Sequence, residues 1–398
     1  MIQALKSVKY RYLKNNEKRE NMNRRDFLTT VTIGSASLAF SGCNDSNRQA
    51  IDYSKHPNHE DSKTKIVNIN RNKKTTIKLA TSWPAHFPIM GTGVEKFAQR
   101  VKDISGGSLE IKLYPKNTLV PALAVFDACS SGQIDAFHSG PYYWKGKNSA
   151  FSLYSGIPFG FTAEEINSWM LFGGGLELWR EQYAKYNLHP FMGGNTNIQM
   201  GGWFRKPIES LKDMQGLKMR IPGLGGEVFA KMGVNPILLP AGEIYTSLER
   251  GVIDATEWVG PALDIKMGFY KVAPYYYSGW HEPGSILELT FNKQTWSKLG
   301  FEHQSMIEVA SSEMNSNMTY EFHAENIKAL QKLKELNVKV SQFPKDVTEA
   351  GKVALKEVVS ELSAKNKDFE KVYKSIEKHL NLSKEWSDSS LRYFLNQR

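Results

Sequence analysis

The chain has 398 residues, 41% apolar and 23% charged, a globular composition long enough for two cored domains. Its formal charge of +10 sits mainly in the leader: residues 1–75 carry 15 Lys and Arg against 7 Asp and Glu, and residues 76–398 carry 36 against 34. The near-neutral remainder has no basic stripe, which argues against nucleic acid as a partner.

The first 43 residues read as an export signal. Asn23-Arg24-Arg25-Asp26-Phe27-Leu28 resembles a twin-arginine signal, and the mildly apolar run from Thr29 to Phe40 is too short to span a bilayer. It ends in Phe40-Ser41-Gly42-Cys43, similar to a lipoprotein cleavage box with Phe40 where leucine is usual, so Cys43 is the expected lipidated residue. Met22, just before the arginine pair, offers a second start. Residues 44–75 are rich in Asn, Lys, Asp and Ser and are expected to form a flexible tether. Cys129, beside Val125 and Phe126, is expected to be a small buried side chain, and no CxxC or Cys/His zinc spacing exists.

From Thr76 the pattern is globular. Ile77 to Ala80 alternates as a strand, Val94, Phe97, Ala98 and Val101 recur at helical spacing, and Leu109 to Tyr114 alternates again. Strand, helix, strand predicts a parallel crossover. A weak echo follows: Ser131-Gly132-Gln133-Ile134-Asp135-Ala136 and Arg250-Gly251-Val252-Ile253-Asp254-Ala255 both place glycine at a helix end before a short apolar strand. Two similar α/β lobes are the natural reading. Gly173-Gly174-Gly175 is expected to be a turn or a helix start. Met306, Val309, Ala310 and Met314 begin a long amphipathic helix that runs past Leu330 and Leu333; Leu355, Val358, Val359 and Leu362 mark another ending near Asn366. Residues 373–398 form a helical tail that either covers a lobe or pairs with a second subunit.

The chemistry concentrates in the middle third. Gln199 lies beside Gly201-Gly202 and two aromatics, Trp203 and Phe204. Arg220 ends a predicted strand before Pro222-Gly223, at the mouth of a sheet, where α/β proteins hold ligands. Its planar fork can grip a carboxylate by two parallel hydrogen bonds; the plainer alternative is a surface salt bridge. Glu257 and Glu282 sit among aromatics and Pro-Gly turns. With the amide oxygen of Gln199 they would make an oxygen-only site suited to Na⁺ or Ca²⁺; the alternative is that each glutamate is paired separately at the surface. His281 reads as a packed turn residue. No phosphate loop, GxSxG or Ser/His/Asp order is present.

These residues also carry a family resemblance, over about Thr76 to Tyr373. The chain resembles the extracytoplasmic solute receptors of TRAP transporters, the DctP-like group, and within it the subfamily that binds α-keto acids such as pyruvate. The matching motifs are Thr81-Ser82-Trp83-Pro84, Leu119 to Leu123 with Val125-Phe126-Asp127, Tyr142-Tyr143-Trp144, Gln199 to Phe204, Arg220 to Val228, Ile253 to Pro261 and Gly279 to Gly284. The resemblance implies an α/β, two-lobed clamshell with parallel-rich sheets and long C-terminal helices. Lobe I would take about residues 76–197 and 286–325, and lobe II about 198–285 and 326–372. It implies that Arg220 fixes the substrate carboxylate with Tyr143, Gln199 and Trp258 in contact. A Na⁺ or Ca²⁺ ion would be held by Gln199, Glu257, the Trp258 carbonyl and Glu282. Trp203 and Trp258 would wall the pocket. The protein would then be a periplasmic receptor, not an enzyme, that delivers a small 2-oxo or 2-hydroxy acid to TRAP permease subunits, with a homodimer through the C-terminal helices as in that subfamily. The rival expectations are a metal-dependent lyase or hydrolase using Glu257 and Glu282, and a structural or adhesion lipoprotein.

Overall fold

The computed structural model describes residues 74–398, so the export signal, Cys43 and nearly all of the tether lie outside the described residues. In chain order the described part runs β1 (Thr75–Thr81), α1 (Met90–Ile104), β2 (Leu109–Tyr114), α2 (Val125–Ser130), β3 (Ala136–Ser139), α3 (Ala163–Phe172), α4 (Gly175–Ala184) and β4 (Leu188–Asn195). It continues with β5 (Met200–Phe204), β6 (Lys218–Arg220), α5 (Gly223–Lys231), β7 (Asn235–Ile237), α6 (Ala241–Glu249), β8 (Ala255–Thr256), α7 (Pro261–Met267) and β9 (Tyr275–Ser278). Last come β10 (Ile286–Asn292), α8 (Lys293–Lys298), α9 (Phe301–Glu335), β11 (Lys339–Ser341), α10 (Lys345–Lys365) and α11 (Lys367–Ser387).

The expected strand–helix–strand unit forms. Ile77 and Leu79 of β1 point inward and Lys78 outward, and β1 pairs parallel to β2 from Thr75 with Leu109 to Ala80 with Tyr114. On α1, Val94, Phe97 and Val101 are buried at helical spacing, each worth about 1.5–3 kcal/mol of apolar transfer. The echo is structural as well. Gly132 and Gly251 both take positive φ, 81° and 71°, at the helix ends. Asp135 then receives the Lys78 amide at 2.8 Å and donates its own to the Lys78 carbonyl at 3.0 Å. Asp254 repeats this with Lys218, at 3.0 and 2.7 Å.

Two sheets result, ordered β2-β1-β3-β10-β4 and β11-β9-β5-β8-β6-β7. Among the described residues five of the nine strand pairings are parallel, as expected; the other four are antiparallel, where β10 runs against β3 and β4, and β5 against β8 and β9. The reversals follow from the path. The chain leaves the first sheet through residues 196–199 and re-enters it through residues 279–285. These two crossing segments are tied together, Thr196 N to Ser285 O at 2.8 Å and Gln199 N to Glu282 O at 3.1 Å.

The long helix α9 packs on β4 of the first sheet, on α1, and on α7, which follows β8 of the second. Its inward stripe is Ile307, Ala310, Met314, Met318 and Phe322. Val309, expected on that stripe, is 63% exposed, since it lies two residues and about 200° of helix rotation beyond Ile307. Helix α10 ends at Asn366 as expected. Gly173-Gly174-Gly175 forms the turn from α3 into α4, with Gly174 at φ 84°. The tail helix α11 buries Phe369, Val372 and Ile376 and packs on α3, α4 and residues Ser149–Tyr154. Cys129 is buried, and burial raises its thiol well above the usual range.

One buried carboxylate sits in the first sheet. Glu288 accepts from Trp144 Nε1 at 2.5 Å and Thr290 Oγ1 at 2.7 Å, and burial pushes it up to about 7. A carboxyl raised by folding stabilises fully below its unfolded value, and that contribution fades as pH rises through the folded value. Glu288→Gln should therefore gain in Tm relative to the wild type as pH is raised from about 5 to about 8. A Tm difference between the two that does not change with pH would refute this.

Candidate functional site

Arg220 ends β6, a three-residue strand between β7 and β8, just before the Pro222-Gly223 turn. Its side chain is 1% exposed, and among the described residues it is the only lysine or arginine in the buried set. A buried guanidinium needs partners. Nη1 donates to the Glu257 carbonyl at 2.8 Å and to Glu257 Oε2 at 3.0 Å, and Nε to the Leu239 carbonyl at 3.3 Å. Nη2 reaches only Tyr143 OH, at 3.5 Å, and the guanidinium lies over the Trp258 ring at 5.0 Å. The pair is thus neither a surface salt bridge nor a free fork. One end is taken by Glu257, and the Nη2 end, toward Tyr143, is the less occupied.

Glu257 follows β8 directly. Its amide donates to the Arg220 carbonyl at 3.0 Å, so β6 and the Glu257 turn hold each other in both directions. Glu282 comes from the second crossing segment and Gln199 from the first. The two meet because Gly279 lets the backbones approach: a Cβ there would lie 2.4 Å from the Gln199 carbonyl. Gln199 Nε2 donates to Thr196 Oγ1 at 2.9 Å, while its Oε1 is buried with no hydrogen-bond partner. Glu282 is raised to about 7, first by burial and next by the charge of Glu257. On the opposing side, Tyr142 and Tyr143 stand edge to face at 4.5 Å. Tyr143 meets Arg220, and Tyr142 packs against Gly223, where a Cβ would come within 3.0 Å of Tyr142 Cβ.

The structure therefore brings Tyr143, Gln199, Arg220, Glu257, Trp258 and Glu282 together. His281 joins them. It is buried in its turn as expected, yet its Nε2 lies 3.7 Å from Glu257 Oε1 and neither ring nitrogen has a hydrogen bond. Trp203, expected as a pocket wall, is instead core: its ring stacks on Tyr276 at 3.9 Å and its indole N–H donates to Asp264 Oδ2 at 2.9 Å. The aromatic that faces Trp258 is Phe87, at 6.5 Å and 71°, which periodicity could not assign because it lies in a turn. On β3 of the first sheet, His138 accepts from Trp83 Nε1 at 2.7 Å and bonds the Gly193 carbonyl at 2.8 Å. Burial lowers it to about 4, so it is neutral.

Chemically, the site offers one buried cation and two buried carboxylates. Among the described residues no group of three or more His, Cys, Asp or Glu stands ready as a metal centre. The donors here are two carboxylates and an orphaned amide oxygen, a hard-oxygen set that fits Na⁺ or Ca²⁺ and not a transition metal. A cation would also relieve the repulsion that raises Glu282.

Residues 79–366 match the family described as bacterial extracellular solute-binding protein, family 7 (DctP). A monocarboxylate 2-oxoacid-binding periplasmic protein of Nostoc is 37% identical over 355 residues, 88% of this chain and 92% of that one. A TRAP periplasmic solute binding protein of Colwellia psychrerythraea, solved with bound calcium and pyruvate, is 42% identical with a TM-score of 0.80, covering 82% of this chain and 100% of that one. The counterpart from Pseudoalteromonas atlantica, solved with bound sodium and pyruvate, has the same identity, TM-score and coverage.

Proposed function

This chain belongs to family 7 of the bacterial extracellular solute-binding proteins, and from that membership we propose that it captures a pyruvate-like 2-oxo or 2-hydroxy monocarboxylate with a bound Na⁺ or Ca²⁺. The family is one of receptors, so the lyase or hydrolase reading of Glu257 and Glu282 falls away. The protein is an extracytoplasmic receptor that hands its solute to TRAP permease subunits.

In this reading the ligand carboxylate meets Arg220 at its Nη2 end, beside Tyr143, with Gln199 and Trp258 in contact. Gln199 Oε1, Glu257, the Trp258 carbonyl and Glu282 would hold the cation, which supplies positive charge for the ligand's oxygens. The observation that carries the proposal is the buried Arg220 beside two buried glutamates and the free Gln199 oxygen. Because Arg220 is the sole buried Lys or Arg among the described residues, a second ligand carboxylate would find no second buried basic side chain, which favours monocarboxylates. The two sheets would serve as the cores of two lobes, with lobe boundaries at the crossing segments. Tyr142 against Gly223 and the Lys145–Glu227 pair of α5 are then contacts of the closed form, which opening would break.

Melting the protein with 2-oxo, 2-hydroxy and dicarboxylic acids, each with calcium, sodium or chelator, tests this. Stabilisation by pyruvate that needs a cation is expected; stabilisation by malate and not pyruvate would refute it. We further propose twin-arginine export with lipidation at Cys43, for which a mature product lacking the lipid mass would be decisive against. We also propose a homodimer through the C-terminal helices, where Trp386, Tyr393 and Phe394 are 72%, 65% and 57% exposed. Light scattering should give a dimer that Trp386→Asp dissociates; a monomeric wild type would end that proposal.

A further inference from the structure

Asp264 lies in the first turn of α7 and is fully buried. Four donors converge on its carboxylate. Oδ2 accepts from Trp203 Nε1 at 2.9 Å and Tyr276 OH at 2.7 Å. Oδ1 accepts from the amides of Val259 at 3.2 Å and Gly260 at 3.1 Å. The first two donors come from β5 and β9, stacked on each other in the second sheet. The other two belong to the turn that carries Glu257 and Trp258.

The start of α7 is served by other groups. Pro261 has no amide to satisfy, and the Ala262 amide donates to Asn326 Oδ1 of α9 at 2.9 Å. Asp264 reaches back past them to residues that precede the helix. The same turn is pinned at two further points: Glu257 N on the Arg220 carbonyl at 3.0 Å, and the Val259 carbonyl by the Met200 amide at 2.9 Å, next to Gln199.

We propose that Asp264 is the positioning residue of the carboxylate and cation site. It clamps Val259 and Gly260 to the Trp203–Tyr276 platform and so fixes the Trp258 carbonyl and Glu257 toward Arg220 and Gln199. Asp264 touches neither ligand nor ion; it acts as an outer partner of a metal site does, by orienting the groups that bind. The inference rests on the reading that this turn supplies cation ligands.

Calorimetric titration of the purified protein with calcium chloride alone, and then with pyruvate at several calcium concentrations, tests it. Asp264→Ala should bind calcium about 10–100-fold more weakly, the range for loss of an outer partner. Its pyruvate affinity should recover as calcium is raised. Asp264→Asn should bind calcium more tightly than Asp264→Ala, because its amide oxygen still accepts from Val259 and Gly260, while its NH₂ facing the Trp203 N–H lowers Tm. Trp203→Phe, which removes a donor only from the far oxygen, should lower Tm more than calcium affinity. Should Asp264→Ala fail to fold, Asp264→Ser, too short to bridge both amides, is read by the same criteria. Wild-type calcium affinity in a folded Asp264→Ala or Asp264→Ser protein would overturn the inference, as would an Asn variant as weak as the Ala variant. A wild type that binds pyruvate with neither calcium nor sodium would instead overturn the functional reading itself.

Discussion

Arg220→Ala is expected to abolish the thermal stabilisation expected from pyruvate. At about 100 times its Kd a ligand that binds only the folded state adds about 2.7 kcal/mol, and this shift should vanish in the variant. The reason is geometric as well as electrostatic. Nη2 is the one guanidinium end not already committed to Glu257 or Leu239, and Arg220 is the only buried Lys or Arg among the described residues, so no neighbour can substitute. The variant also strands Glu257 without its ion pair, and breaking a buried pair from one side costs about 3–5 kcal/mol. Its ligand-free Tm should therefore fall too. Arg220→Ala combined with Glu257→Gln removes the stranded charge and should regain part of the Tm without regaining the ligand shift. Arg220→Lys should fail as well, since one ammonium cannot serve both the Glu257 turn and a ligand. If pyruvate stabilises Arg220→Ala as it does the wild type, the anchor lies elsewhere.

Removing the cation, calcium by chelation or sodium by exchange into a sodium-free buffer, should be nearly as damaging as losing Arg220. A ligand carboxylate entering this site meets Glu257 and Glu282. Like charges about 4 Å apart at an effective dielectric near 20 repel by roughly 4 kcal/mol, enough to outweigh one hydrogen bond to Arg220. A cation among the oxygens reverses that sign. Glu282→Gln should then weaken pyruvate binding by at least the roughly 10–100-fold that loss of an outer partner of a metal site costs, and Glu257→Gln should weaken it also. A pH dependence follows. Burial and Glu257 raise Glu282 to about 7, so in the cation-free protein a proton occupies it below that pH and must leave before the ion binds. Calcium affinity should decline as pH falls below about 7, with protons released on binding there. The same raised value makes Glu282 a stabilising group at low pH, whose contribution to the cation-free protein is lost as pH rises through about 7. Calcium affinity independent of pH between about 6 and 8 would remove Glu282 from the cation's partners.

The elements were readable because their signals are local. Alternation gave β1 and β2, helical spacing gave α1 and α9, and the Gly-x-x-Asp echo marked two junctions that the structure builds alike, down to the paired bonds of Asp135 with Lys78 and Asp254 with Lys218. Arg220, Glu257, Glu282 and Gln199 stood out singly as polar groups among aromatics and turns, and only the family motifs joined them before any coordinates did.

The sequence by itself thus determined the α/β elements, the candidate polar residues and the leader's character. The tertiary structure decided which of these residues meet. It turned Val309 outward, placed Trp203 in the core beneath Asp264, and brought His281 and Phe87 to the site. It also showed that Arg220 is already half engaged by Glu257. The physical reason is that strand and helix signals repeat within a few residues, whereas the site forms where two crossing segments meet the ends of two inner strands, β6 and β8. Gln199 and Glu282 are neighbours because Gly279 permits a close backbone approach, and a contact between positions that far apart leaves no period in the chain to read.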